Sequence, residues 1–201
     1  MSTSAVLLVA LGLLALGAVL IHNRLVTLRA RVANAYAQID VQLQRRHELV
    51  PNLVETAKGY LRHEHATLLA VTEARDGAEA RRREAGPGRS GTGDATGDGL
   101  DALAAAERTL SGALGRLKVV MEAYPEIRAD AHLRELADDL ESTENRVAYA
   151  RQAYGDAVMA YNAAQEQFPA TLVARLTGVR PAEQFELEAH ATREPVRVSF
   201  A

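Results

Sequence analysis

Large apolar side chains recur at sevenfold spacing over most of the chain. Two parallel stripes run through the first stretch, one formed by Leu25, Val32, Ile39, Leu53 and Tyr60, the other by Tyr36, Leu43, Val50 and Ala57. The second stretch contains Leu103, Leu110, Leu117 and Tyr124, flanked by Leu100, Leu114 and Met121. The third contains Leu133, Leu140, Val147, Tyr154, Tyr161 and Phe168. A period of seven predicts helices packed at shallow angles, as in a coiled coil or bundle, whereas strands would require a period of two.

Residues 5–21 differ from the rest because they contain only Ala, Val, Leu, Ile and Gly. As a helix this segment is about 25 Å long, at the short end for a hydrocarbon core of roughly 30 Å. A cleaved signal peptide is the first alternative, with small residues at Ala15 and Gly17, but no basic side chain precedes the segment. A buried core helix is the second, although core helices are seldom apolar on every side.

We therefore predict an all-α fold, in which an N-terminal transmembrane helix precedes a long antiparallel bundle of three long helices and a short C-terminal helix. Residues 1–23 form the anchor, and residues 24–201 form the helical domain. Arg24, Arg29 and Arg31 follow the apolar segment, and no Lys or Arg precedes it. The positive-inside rule then predicts a single-pass protein of the cell (inner) membrane, with its N-terminus outside and the bundle in the cytoplasm.

A polar stretch separates the first two predicted helices of the bundle. Residues 77–99 are rich in Gly, Ser, Thr, Asp and Arg and include Pro87, which predicts a flexible loop. Arg81, Arg82 and Arg83 lie in this loop, about 75 Å from Arg24 along the first helix, so we expect solvated side chains far from the membrane.

Capping residues and prolines predict the helix ends. Asp98 is the candidate cap of the second helix, which Tyr124-Pro125 ends, and Asp130 is the candidate cap of the third, which Phe168-Pro169 ends. A short amphipathic helix over residues 171–176 is closed by Gly178, and the alternating residues 194–200 are expected to lie extended. Pro51 lies inside the first helical pattern and predicts a kink rather than a break, because its ring clashes with the carbonyl of His47.

Composition narrows the function classes. The chain has no cysteine and a formal charge of −3, which removes thiolate chemistry and provides no basic field for nucleic acid. His63 and His65 point about 200° apart on a helix, so they cannot bind one ion. The sequence shows no nucleophile with a neighbouring base. We predict no enzymatic activity, no catalytic residue, no metal site and no cofactor.

One polar cluster lies where the apolar pattern is interrupted. Arg46 replaces an apolar residue in the first stripe and is followed by His47, while Glu144 and Arg151 hold a comparable position in the third helix. If the helices are antiparallel, these side chains could meet in a buried ionic layer. Such layers more often fix helix register than perform chemistry, and partner binding is the alternative that we keep open.

Four segments resemble the LemA family of bacterial membrane proteins. They are RVANAYAQIDVQLQRRHELVPNLVETAKGY (residues 31–60), LSGALGRLKVVMEAYPEIRAD (residues 110–130), ESTENRVAYARQAYGDAVMAYNAAQEQFP (residues 141–169) and EPVRVSF (residues 194–200). The resemblance implies one N-terminal span and an all-helical antiparallel bundle. It supplies no catalytic residues.

Two hypotheses of function follow. The preferred one is a non-enzymatic interaction or scaffold protein of the cell envelope, held in the bilayer through residues 5–21, with membrane or cytoplasmic protein partners or with copies of itself. The alternative is a ligand-binding or enzymatic protein that uses the polar layer.

Overall fold

The computed structural model describes residues 3–86 and 97–183, and every regular element within those ranges is an α-helix. Six helices occur there: α1 Thr3–Lys58, α2 His65–Ala85, α3 Gly97–Glu122, α4 Pro125–Ala129, α5 Ala131–Glu166 and α6 Ala170–Thr177. The predicted all-α class is confirmed.

Helix α1 combines an exposed apolar segment with a core-forming segment. Within the described residues it is the one helix long and apolar enough to cross a membrane, judged by length and composition. Leu20 is 62% exposed, whereas Leu25 is 1% exposed, so the change from exposed to buried occurs over a few residues. The apolar segment is therefore not a core helix of the described fold.

Helices α1 and α5 form the main packing interface. Leu25 of α1 clusters with Ala164 near the end of α5, whereas Val54 near the end of α1 clusters with Leu133 at the beginning of α5. Between these ends, Tyr36 and Tyr154 contact each other edge to face, with ring centroids 6.0 Å apart. Residues of α1 thus meet those of α5 in reverse order along the chain.

The first helix of the domain is shorter than its sequence pattern suggested. Helix α1 ends at Lys58, and residues 59–64 form a turn that reverses the chain into α2. Leu61 is fully buried inside this turn, and its amide donates to the carbonyl of Ala57 at 2.9 Å. Helix α2 then packs on α1 and α3. The predicted three long helices are therefore replaced by four, namely α1, α2, α3 and α5.

The predicted loop over residues 77–99 is wrong at both of its ends. Residues 77–85 belong to α2 and residues 97–99 to α3, and only residues 87–96 lie outside the described ranges. Ala78 and Ala85 are buried, and Arg81 pairs with Glu84 one turn away at 2.8 Å, so packing and local ion pairs both support the helix. Asp98 lies within the first turn of α3 and is not its cap.

The other predicted helix ends are confirmed. Helix α3 ends at Glu122 before Pro125, and the Asp130 side chain caps α5 by accepting from the amides of His132 and Leu133 at 2.8 and 3.0 Å. Helix α5 ends before Pro169. Gly178 closes α6 with a φ of 69°, a left-handed conformation that favours glycine. Residues 194–200 lie outside the described ranges.

Candidate functional site

The structure brings the four predicted polar residues into one region but pairs them differently. Arg46 Nη2 is 3.5 Å from Glu144 Oε1, a long contact. The Arg46 side chain is 3% exposed, whereas that of Glu144 is 59% exposed. Of the ionic layer predicted between α1 and α5, Arg46 is buried, whereas the Glu144 carboxylate lies at the surface.

The buried carboxylate comes from α3 instead. Glu107 Oε2 accepts from Arg46 Nη1 at 3.2 Å, and Glu107 Oε1 accepts from His47 Nε2 at 2.8 Å. All three side chains are almost completely buried. Because a carboxylate only accepts, His47 carries its proton on Nε2. Ser111, one turn after Glu107, accepts from Arg46 Nη2 at 2.8 Å.

Glu107 could have been found in the sequence. Leu100, Leu114 and Met121 flank the main stripe of the second helical stretch at multiples of seven, and position 107 falls between the first two of them. Glu107 therefore interrupts its stripe just as Arg46 interrupts the stripe of α1. Two interruptions of opposite charge in neighbouring helices were the available indication of a pair.

Arg151 lies in the electrostatic field of the same cluster. Burial, with a smaller contribution from the charge of Arg46, lowers the pKa of its guanidinium to about 10, while Glu107 and Glu144 act in the opposite direction. Arg151 still carries its charge near neutral pH, since this pKa lies well above 7. We call Arg46, His47, Glu107, Glu144 and Arg151 the polar layer. Its two arginines are balanced by two carboxylates.

Pro51 is linked to the polar layer through the backbone of His47. Helix α1 continues through Pro51, which has no amide proton to donate to the carbonyl four residues earlier. Arg75 of α2 supplies the missing donor, with its Nε 3.2 Å from the carbonyl oxygen of His47. Arg75 is itself held by Glu79, at 2.7 Å. The position of α2 is thus tied to the proline in α1.

A groove opens beside the polar layer. It is a cavity of about 370 Å³ between α1, α3 and α5, with α4 at one end. Helix α3 packs chiefly on α2, and α5 packs chiefly on α1, which leaves α3 and α5 apart from each other. The apolar lining consists mainly of Leu53, Leu114, Met121, Ile127, Leu133 and Leu140. Arg46, Ser111 and Glu144 line the same groove.

An exposed ion pair joins α3 and α5 at this groove. Lys118 Nζ lies 3.2 Å from Glu141 Oε2, and both side chains are exposed. The hydrogen bond to Glu141 raises the pKa of the Lys118 ammonium. An exposed pair of this kind is weakly stabilising and does not close the groove.

The hydrogen bonds of Glu107 connect α1 with α3. Both oxygens of Glu107 are occupied by donors on α1. His47 Nδ1 is buried without a hydrogen-bond partner among the described residues. No group of three or more potential metal ligands occurs within the described ranges.

The chain belongs to the LemA family, which it matches over residues 35–200. It is similar to Magnetosome protein MamQ 2 and Magnetosome protein MamQ 1 of Paramagnetospirillum magneticum, with 30% identity over 177 residues in each case. It is also similar to Magnetosome protein MamQ of Magnetospirillum gryphiswaldense, with 27% identity over 178 residues. These matches cover 82% of this chain but 64% of each relative, so the chain spans less than two thirds of their length.

Proposed function

We propose that this LemA family protein is a non-enzymatic, membrane-tethered interaction protein. Residues 1–23 anchor it in the bilayer as a single span, and residues 24–201 form an antiparallel helical bundle whose surface binds protein partners. The observation that carries this proposal is the continuity of α1, which runs without interruption from Thr3 to Lys58. The same helix supplies an exposed apolar segment and one side of the core.

The continuity of α1 fixes the domain relative to the membrane. Leu20 is exposed, and Leu25 is fully buried against α5 and α6, so no flexible linker separates the span from the bundle. A protein built in this way holds its outer surface at a set height and orientation above the bilayer. That property serves assembly and presentation rather than catalysis in solution.

The named relatives support an assembly role. Their names connect them with a cellular structure, the magnetosome, and not with a reaction. We extend to this chain only the general idea of a structural role at a membrane. We assign the polar layer to fixing the register between α1 and α3, since its hydrogen bonds connect these two helices.

Topology is the first test of the anchor. We propose that the bundle faces the cytoplasm, because Arg24, Arg29 and Arg31 follow the span. Ser142 is exposed on α5, and the chain has no cysteine of its own, so Ser142→Cys provides one reporter without background. A membrane-impermeant maleimide should label it only after permeabilisation. Labelling in intact cells or spheroplasts would place the bundle outside and reverse the proposed orientation.

Partner binding is tested by photo-crosslinking in intact cells. Val119 on α3 and Tyr149 on α5 are large, exposed apolar side chains, and a photo-reactive amino acid at either position samples the protein surface. We expect a discrete adduct at one of these positions that disappears when unlabelled protein competes. Glu55, an exposed polar position on α1, serves as the matched control. Absence of any discrete adduct at both apolar positions would contradict the interaction role.

A second candidate function is ligand binding in the groove. It is favoured by one observation, namely that Arg46, Ser111 and Glu144 line an otherwise apolar cavity of about 370 Å³. On this alternative, Glu144→Gln abolishes function in cells while thermal stability stays at the wild-type level, because the Glu144 side chain is exposed. Unchanged function in that variant would remove the polar layer from consideration as a ligand site.

A further inference from the structure

Helix α6 packs against α1 at the point where the apolar segment ends. Ala174, in the middle of α6, is buried in a small cluster with Leu25 of α1 and Ala164 of α5. Ile21, the last residue of the apolar segment, packs against the same cluster. The position of α6 along the molecule is therefore fixed relative to residues 5–21.

This position corresponds to the headgroup region of the bilayer. If residues 5–21 cross the hydrocarbon core, as the proposed function requires, Leu25 lies about 6 Å beyond its edge along the helix axis. The polar interface is roughly 5–7 Å thick on each side of the hydrocarbon core. Ala174, which clusters with Leu25, is therefore at interfacial depth rather than out in the solvent.

Large apolar side chains are exposed around this helix. Phe168 is 81%, Leu172 51% and Leu176 88% exposed. Leu172 and Leu176 lie one turn apart on the side of α6 opposite to the buried Ala174, and Phe168 lies in the turn that precedes the helix. We call these three residues the α6 stripe. Three adjacent exposed apolar side chains indicate a contact surface rather than ordinary solvent exposure.

Basic side chains outnumber acidic ones around the α6 stripe, where Glu166 and Glu183 are the nearby acidic residues in sequence. Residues 168–180 contain Arg175 and Arg180 and no acidic residue, and residues 21–35 contain three arginines and no acidic residue. The whole chain has a net charge of −3, so this end of the molecule is more basic than the chain as a whole. Arginine beside Leu and Phe is typical of helices that lie in a membrane interface, and basic clusters near a span attract anionic headgroups.

We propose that α6 is a second membrane contact of this protein, lying on the same bilayer that α1 crosses. Phe168, Leu172 and Leu176 enter the boundary between headgroups and acyl chains, and the neighbouring arginines bind anionic phosphates. The proposal rests on the proposed span. Two contacts, one transmembrane and one interfacial, restrict the tilt of the bundle more firmly than the continuous helix does alone.

The test measures depth in the full chain. Leu176→Cys is labelled with a small fluorophore and reconstituted into vesicles of phosphatidylcholine with a minority of phosphatidylglycerol. Lipids that carry a nitroxide near the headgroup should quench most of its fluorescence, and aqueous iodide should quench little. Val119→Cys, at another exposed apolar residue far along the bundle, is the control that iodide should quench. Leu14→Cys, inside the apolar segment, reports on the span itself.

Each outcome has a defined meaning. If the Leu176 probe behaves like the Val119 probe while the Leu14 probe is quenched by lipid nitroxides, the interfacial contact is refuted and the anchor stands. If the Leu14 probe is also open to iodide, the proposed span itself fails. If the Leu176 probe is shielded from both quenchers, protein covers the α6 stripe, as in a dimer, and the lipid contact is refuted.

Discussion

The buried ion pair between Arg46 and Glu107 allows us to predict how far the Tm falls when either side chain is replaced. Replacing Arg46 by Met leaves the buried Glu107 carboxylate with His47 as its remaining donor in the described structure. Removing one partner of a buried ion pair costs about 3–5 kcal/mol. For a domain of this size, each kcal/mol corresponds to roughly 2–4 °C in Tm, so Arg46→Met should lower Tm by about 6 °C or more.

Replacing Glu107 should lower the free energy of unfolding by less than replacing Arg46. In Glu107→Gln, Arg46 keeps the hydroxyl of Ser111 at 2.8 Å and the carboxylate of Glu144 at 3.5 Å, so we expect about 3 kcal/mol. In the double variant neither charge is present, and the Gln amide oxygen still accepts from His47. The double variant should therefore be less destabilised than the sum of the single variants, by about 2–3 kcal/mol.

Thermal unfolding of the full chain in detergent, followed by far-ultraviolet circular dichroism, measures this coupling. Glu55→Gln is the matched control because it breaks an exposed pair with Lys58, and its Tm should equal that of the wild type. If the effects of Arg46→Met and Glu107→Gln simply add, the two side chains are not coupled and the polar layer is not a unit. An unchanged Tm in Arg46→Met would likewise refute the reasoning.

Two further predictions concern the backbone at Pro51 and the core tyrosines. Arg75→Leu should lower stability by about 1 kcal/mol in urea unfolding, because the His47 carbonyl loses its donor. In a Pro51→Ala background the restored amide of residue 51 can donate to the His47 carbonyl in place of Arg75, so Arg75→Leu should lower stability by less there. Equal losses of stability in both backgrounds would show that Arg75 does not supply the missing donor. Burial raises the pKa of the Tyr154 hydroxyl to about 12, with Tyr36 contributing. Folding therefore favours the neutral hydroxyl. The contribution of this group to the free energy of unfolding is fully present below pH 10 and is lost as the pH rises through about 12. An absorbance titration should lose a late-ionising tyrosine in Tyr154→Phe, and an unchanged titration curve would refute the assignment.

Local rules account for the part of the fold that was predicted correctly. The sevenfold stripes identified most of the buried residues of α1, α3 and α5, because one face of a helix must be apolar to pack, but their last members Tyr60 and Phe168 lie beyond the helix ends and are exposed. Asp130 and Gly178 marked helix ends, because capping and a left-handed turn depend on the residue at that position and its neighbours. The apolar run at residues 5–21 stood out because it has no polar face.

The turn after Lys58 depended on contacts between segments distant in sequence. The apolar pattern continues through Tyr60, and Gly59 alone does not require a reversal of the chain. What favours the turn is the burial of Leu61 within it and the packing of α2 against α3, with Leu68 and Val71 buried. Residues 77–85 were expected to be a loop because their buried members are small alanines, which give a weak periodic pattern.

The reversal of the chain also moved the arginines of α2. Arg82 Nη1 lies 2.8 Å from Asp40 Oδ1, and both side chains are mostly buried. Asp40 is only sixteen residues from Arg24, so Arg82 lies about 25 Å along α1 from that arginine and not the expected 75 Å. An error in one turn thus shifted the predicted position of a whole charged segment.

The sequence by itself determined that this protein has an apolar N-terminal helix, an all-helical domain and an ionic interruption at Arg46. The tertiary structure alone decided that Glu107 of α3 is the buried partner of Arg46, while Glu144 of α5 stays near the surface. The physical reason is that periodicity specifies which side of a helix is buried but not which helix lies opposite. That choice depends on the summed packing of all the helices, to which α2, the least apolar of the long ones, contributes through its contacts with α1 and α3.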